Sequence, residues 1–583
     1  MRNIRSLVPA AALALSLFGA SCKDEKPVAE QPASAAPSAL SSSPKPEAPA
    51  TKKALVDVTM PDEVVAIAGV DSPVAVLDSL TKAIAAVQPG GEPLGKEAAS
   101  ALAERYDVSE QTFDLGKPLS LAVFDPKKHA TDPLVLVVRV GSKDKLLEGA
   151  KGDKKPDAGG GLVGWGSNFA RVDGEVAMIS KDKELLEKNE PFLRELAGAS
   201  AGGAATFVVP MQHVGALYGK DLDALAAQAE AFGPAEQAAS TKQMFSFAQS
   251  ALKELDNVTF ALKPTDDGLS LDIGAKPTAL STWRAGLALL SAKETSKLAA
   301  KLPKESLVFA TAIVPAEARP LAKKYFEWAS SLPGGGGLEG AMAIWEQSWD
   351  AMTGEFAMAV FQLDDKPVAF ALSGVTDAEK VRSAQRAAAE KVIGGPQSEQ
   401  LKKLGMKMTY KKAAYKVGDV EVDIMKTELA QGAPPGAAAV MSWFGETHSA
   451  VSGTEALVAY GPSAKTVLEA YLSGKLAGGL DASPVMDRAK KSSLKDALLV
   501  SAVAPTDLAA ALGLPVEKRA LPPLTISVGS SDGALHLLVD LPAAQLPAIA
   551  VGAGALQSAA MAGGGLTPPP APAGGGGKTG KAR

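Results

Sequence analysis

Two stretches decide the fold: Pro61-Asp62-Glu63-Val64-Val65-Ala66-Ile67-Ala68-Gly69-Val70 and Pro303-Lys304-Glu305-Ser306-Leu307-Val308-Phe309-Ala310-Thr311-Ala312-Ile313-Val314. Each is a Pro-x-Glu turn feeding an apolar strand. A helical pattern follows each, over Ser72 to Val87 and over Pro315 to Leu332, and each helix ends at a glycine break. Second helices are expected over Lys96 to Tyr106 and Leu338 to Met352. Strands rich in β-formers come next, Gly116 to Phe124 with Leu134 to Val140, and Gly354 to Phe361 with Pro367 to Leu372. Helix starts follow at Ser142 and at Thr376, where Thr376 and Glu379 have the spacing of a capping box.

The correspondence runs further. Val176 to Glu187 matches Val458 to Glu469, each a short strand, a turn and an amphipathic helix. Ala205 to Leu217 matches Ala497 to Leu512. Two hairpins end the series, and Asp267-Gly268 and Asp532-Gly533 are expected to supply the positive φ of their turns. The chain therefore reads as two tandem copies of a strand-helix-helix-strand-strand unit, at 54–300 and 301–552, the first holding a long helical insert over Asp221 to Leu255. Hairpin-linked strands predict an α+β fold, with antiparallel sheets and helices packed on one face.

Outside these units the composition changes. Residues 22–53 form a tether rich in Pro, Ala and Ser, and 553–583 a tail rich in Gly and Pro. Neither carries apolar periodicity, so both are expected to be disordered. The first 21 residues read as an export signal. Arg2 and Arg5 precede an apolar run, Leu7 to Phe18, which is too short to span a bilayer. Gly19-Ala20-Ser21 leads to Cys22, the single cysteine among 583 residues.

This arrangement resembles the lipobox of bacterial lipoproteins, although Gly19 stands where that motif has leucine. The resemblance implies cleavage before Cys22 and a diacylglycerol on its thiol. With Lys23 next, it implies a place on the periplasmic face of the outer membrane. Two or three acyl chains give stable anchoring where one does not. The alternative is an ordinary secretory signal cut after Ala20 or Ser21. In pattern, residues 55–550 also resemble bacterial exported proteins with a duplicated domain of unknown function. That resemblance implies an envelope setting and the α+β fold, and it brings no activity or site.

Composition narrows the function. The chain is 46% hydrophobic and 21% charged with a formal net charge of −5. Without a dense basic stripe it is a poor nucleic-acid binder. One cysteine excludes an intramolecular disulfide and any multi-cysteine metal site. The histidines, His129, His213, His448 and His536, never stand three or four apart, so no helix presents a paired metal face. His129 falls in a lysine-rich turn, His213 at a helix start, His448 in a loop and His536 in a strand. Gly529-Ser530-Ser531-Asp532-Gly533 matches G-x-S-x-G but precedes a strand, so a hairpin turn accounts for it. Gly159 to Gly161 and Gly334 to Gly337 lack the Lys-Ser or Lys-Thr of a P-loop and read as connections. Asp266-Asp267 and Asp364-Asp365 read as solvated turns.

Trp345 and Trp349 share a helix face, with Trp328 on the preceding helix. They are read either as core packing or as an apolar groove or partner surface. The functional expectation is a non-enzymatic, lipid-anchored envelope protein without a cofactor, with a binding or assembly role toward an unknown envelope protein. The alternative is a carrier or sensor of an apolar ligand such as a lipid, held in a groove between helix and sheet. Replacing Cys22 with Ala is expected to release the protein from the membrane fraction; an unchanged distribution on fractionation contradicts the anchor.

Overall fold

The computed structural model describes residues 53–85, 93–232, 245, 248–287, 296–320, 323, 348–364, 366–395, 398, 402, 406–429, 445–511 and 521–549. The expected tether, tail and signal fall outside them, except for Lys53.

Among the described residues the first half contributes ten strands: β1 Val64–Val70, β2 Leu119–Phe124, β3 Leu134–Arg139, β4 Lys154–Lys155, β5 Val163–Trp165, β6 Asn168–Asp173, β7 Val176–Ser180, β8 Ala205–Pro210, β9 Leu255–Pro264 and β10 Gly268–Pro277. The second half contributes β11 Val308–Ile313, β12 Met352–Leu363, β13 Lys366–Val375, β14 Met406–Val417, β15 Val420–Leu429, β16 Glu446–Ser452, β17 Glu455–Tyr460, β18 Leu499–Val503, β19 Leu524–Ser531 and β20 Ala534–Pro542. All pair antiparallel in one continuous sheet. From one edge the order is 4-5-6-7-3-2-1-8-9-10 and then 20-19-18-11-12-13-17-16-15-14. The second run, read backwards, is the first with ten added to each strand number. The halves meet edge to edge at β10 and β20.

The helices used below are α1 Pro73–Ala85, α2 Leu94–Arg105, α3 Lys143–Gly149, α4 Lys183–Lys188, α5 Glu190–Gly198, α6 Met211–Phe232, α7 Ala378–Gly394, α8 Ala464–Leu472 and α9 Pro484–Ser492. Several carry side-chain caps. Ser142 Oγ accepts from Lys145 N at 3.2 Å, and Ser483 Oγ from Met486 N at 3.1 Å. At α7 the capping residue is Asp377, which accepts from Lys380 N at 3.0 Å, and not Thr376 as the capping-box spacing suggested.

Helices cover both faces of the sheet, which corrects the expected one-sided packing. Ala122, Phe124, Val135 and Val137 pack with Leu185 and Leu186 of α4 and Leu193 and Leu196 of α5. Their strand neighbours point the opposite way. Leu121 and Val123 meet α6 through Val214 and Leu217, while Leu136 and Val138 meet Leu102 of α2 and Leu146 of α3. In the second half, Ala357, Ala359 and Phe370 pack with Val467 of α8 and Met486 of α9, and Val375 and Val451 pack with Val381 of α7 on the other face. The reason was in the sequence. Strand β2, Leu-Ser-Leu-Ala-Val-Phe, is buried at every position, and a strand apolar on both sides needs cover on both sides.

The two final hairpins form as expected, but their turns differ. Asp532 and Gly533 have φ of 52° and 72°. Gly268 instead lies in extended strand, where a Cβ would sit 2.1 Å from Leu541 O of β20. That glycine permits close strand approach, not a left-handed turn. Gly354 meets both demands. Its φ is 87°, and a Cβ would lie 2.0 Å from Val314 O, in the irregular start of β12. Gly354→Ala is expected to cost at least about 2 kcal/mol through backbone strain and the clash, measured as a lowered urea midpoint.

Candidate functional site

Helix α1, Pro-Val-Ala-Val-Leu-Asp-Ser-Leu-Thr-Lys-Ala-Ile-Ala, buries Val76, Leu77, Leu80 and Ala83, the one-sided stripe of an amphipathic helix. Its neighbour α2 buries Leu102 and Ala103. Thr81 stitches the two together, donating to Leu77 O at 2.8 Å and accepting from Leu94 N at 3.1 Å. Between this pair and strands β1, β2 and β8 lies a cleft of about 60 Å³. All twelve residues lining it are apolar.

The cleft exists because three packed clusters meet there without interlocking. Leu102 and Leu119 belong to one, Leu121 to a second, and Val76, Leu77 and Ala205 to the third. Small side chains at the junction, Ala68, Ala98 and Ala205, leave it unfilled. Its volume would admit several waters at roughly 10–15 Å³ each, but its walls offer them no polar partners. Such a space favours an apolar occupant. An enclosed apolar cavity of about 150 Å³ holds a benzene; this cleft is smaller, so a ligand of that size or larger would project from its open side.

The titratable groups are engaged elsewhere. Loop 125–133, between β2 and β3, is pinned to three helices. Tyr218 OH of α6 donates to Asp125 Oδ1 at 2.7 Å, a contact that together with burial raises the Tyr218 pKa. His129 Nδ1 lies 2.9 Å from Oδ2 of Asp182, which caps α4. Arg105 Nη2 of α2 donates to Asp132 Oδ1 at 2.9 Å. Asp132 is only 4% exposed, and burial pushes its carboxyl up against the pull of Arg105. Next to Arg105, burial pushes Tyr106 up to about 12.

The other histidines stand in separate networks. His448 is 1% exposed within β16, which corrects its assignment to a loop. Its Nδ1 meets Tyr415 OH at 2.7 Å and its Nε2 meets Glu446 Oε1 at 2.7 Å. His213 Nδ1 lies 3.2 Å from Val64 O, and His536 pairs with Asp272. Among the described residues no group of three His, Cys, Asp or Glu is placed to hold a metal ion, and no helix is long and apolar enough to cross a membrane.

Of the residues singled out in the sequence, Cys22, Trp328 and Trp345 lie outside the described residues. Trp349 is buried, 9% exposed, in a short 3₁₀ turn at 349–351 that runs directly into β12. It is therefore packed and not displayed on a surface. Most of the expected helix from Leu338 to Met352 lies outside the described residues; at its end, 349–351 form that turn and Met352 already belongs to β12. Sequence reasoning found none of the cleft residues individually. Their signal was the run of Ala and Gly facing Leu on α1, α2 and β1. Comparison with known protein families, with curated proteins and with solved structures finds no match.

Arg105→Met removes the partner of a buried carboxylate. It is expected to cost about 3–5 kcal/mol, read as a drop in thermal or urea midpoint, whereas a surface pair would lose under about 1 kcal/mol.

Proposed function

We propose that this chain is a lipid-anchored protein of the cell envelope, tethered through Cys22 at the periplasmic face of the outer membrane. In this reading its body binds an apolar ligand, a lipid hydrocarbon chain, without catalysing a reaction. The observation that carries the binding role is the wholly apolar cleft between α1, α2 and the sheet. It is the helix–sheet groove that an apolar-ligand carrier needs, and it favours that role over assembly with an unknown protein partner. Each buried methylene contributes about 0.8 kcal/mol, so even the end of one acyl chain gains useful affinity there. The histidines are consistent with a binding role, because each is tied into its own local network rather than gathered at the cleft.

The body is further proposed to be two copies of one unit. The matching strand order of the two halves supports this, as do helices in like places: α4 after β7 and α8 after β17, and α3 after β3 and α7 after β13. The copies have diverged in the cleft. Where β1 and β8 bring Val70 against Ala205, β11 and β18 bring Ala312 against Leu499.

The test is ligand uptake by the purified full chain. Native mass spectrometry is expected to show lipid-sized adducts beyond the covalent anchor, and a fluorescent fatty acid is expected to bind. Ala98→Trp, which fills the cleft from α2, is expected to weaken that binding at least tenfold, while Ser100→Trp at an exposed position of the same helix leaves it unchanged. Absence of adducts together with absence of fatty-acid binding refutes the ligand reading.

A further inference from the structure

Among the described residues the two halves are joined by one strand pairing, Gly268–Ala275 of β10 against Leu535–Pro542 of β20. On the sheet face covered by α9, this seam carries charge. His536 Nδ1 of β20 lies 2.9 Å from Asp272 Oδ1 of β10, so the contact crosses from one half to the other. Gly274 is the register partner of His536, and a Cβ there would come within 3.2 Å of the imidazole Cε1. The ring thus lies close over glycine backbone, in space that a side chain would contest. A second tie crosses the same seam. Arg488 of α9 reaches Asp267 at 2.8 Å and Asp540 at 3.0 Å.

We propose that the β10–β20 seam is a proton-controlled latch between the two halves, closed when His536 carries charge against Asp272 and loosened when it is neutral. The charged groups around the imidazole fit this role. Asp272 and Lys276 share its face on β10, and Lys263 does so on β9. Asp540 lies on its own strand, held by Arg488 of α9, and Asp532 stands at the turn. From β19 come the neutral Ser527 and Gly529, with the backbone of Ala497 packed against Gly529. The nearest acid is the one across the seam.

The direction of the pH effect follows. The hydrogen bond to Asp272 holds the His536 pKa above its ordinary value of 6.5, against the opposing effect of burial. A raised folded-state pKa gives a contribution that is complete below 6.5 and vanishes as pH climbs through the raised value. The Arg488–Asp267 tie and the backbone ladder still cross the seam when the imidazole is neutral, so the seam is expected to loosen without the halves separating.

The experiment is amide hydrogen exchange on the full chain at about pH 5.5 and 8, corrected for intrinsic exchange chemistry. Peptides covering 268–277 and 534–542 are expected to lose protection by about 3- to 10-fold at the higher pH, while peptides of β14 and β15 do not. His536→Gln and Asp272→Asn are each expected to abolish the difference. With only four histidines in the chain, a titration of histidine-labelled protein gives a second measurement. The resonance missing in His536→Gln is expected to titrate above 6.5 and to fall in Asp272→Asn. Protection that is flat with pH in the wild type, or a drop that survives in His536→Gln, overturns the latch.

Discussion

The backbone ladder between β10 and β20 is the interaction on which the rest of the described structure depends. Without it each half would end on a long strand edge with unpaired N–H and C=O groups, a template for aggregation. With it, twenty strands share one sheet. Close approach at this ladder is paid for in side chains. Gly268 sits where a Cβ would collide with Leu541 O, and Gly274 where it would press on His536. Glycines at the start and in the interior of one strand would ordinarily weaken a sheet. Here they allow the ladder to form and make room for the His536–Asp272 contact that crosses it.

The cleft and the core follow from one packing problem solved in two ways. The sheet is apolar on both faces, so helices must cover both. On the side of α4 and α5 they do so with leucine at close spacing, and Leu185, Leu186, Leu193 and Leu196 are fully or almost fully buried. On the side of α1 and α2 the helices are richer in alanine, and alanine cannot reach across a helix–sheet gap that leucine fills. Native interiors rarely tolerate such a gap, because unfilled volume forfeits contacts. An apolar occupant would recover those contacts, which is the physical sense of assigning binding to this side.

Much of the architecture was legible in the sequence because turns and caps are local. Ser142, Asp532 and Gly533 act where their chemistry said they would. The strands from Val64, Leu134, Val176 and Ala205 begin within a residue or two of where their patterns placed them. The errors arose where local signals compete with long-range packing. Asp267-Gly268 looks like a turn, yet Gly268 is set by β20, the strand it meets from the other half. Thr376 loses the capping role to the adjacent Asp377. His448 read as a loop residue but lies within β16 between Tyr415 and Glu446, brought together by the β14–β15–β16 meander. That meander was itself missed, although Met406 to Val417 and Val420 to Leu429 alternate apolar with charged residues around Gly418, the signature of a hairpin. The cleft left only a faint trace, the small residues of α1, α2 and β1, because it is a property of three clusters meeting and not of any one segment.

The outer edges show why a sheet of this width stops where it does. Strand β4 is two exposed lysines, Lys154-Lys155. Strand β14 is twelve residues long, but it exposes Lys407, Lys411 and Lys412 and breaks register between Lys411 and Tyr415, where Ala413 takes a φ of 45°. Lysines and a bulge are the devices by which natural edges resist further pairing. Two copies of this protein that met β14 to β14 would place like charges opposite one another and lose the regular ladder after a few residues. The internal edges, β10 and β20, carry the opposite design: glycines on β10, an unbroken register and an acid on one strand reaching a histidine on the other. Among the described strands, the edges that lack these devices are the two that pair and join the halves into one sheet.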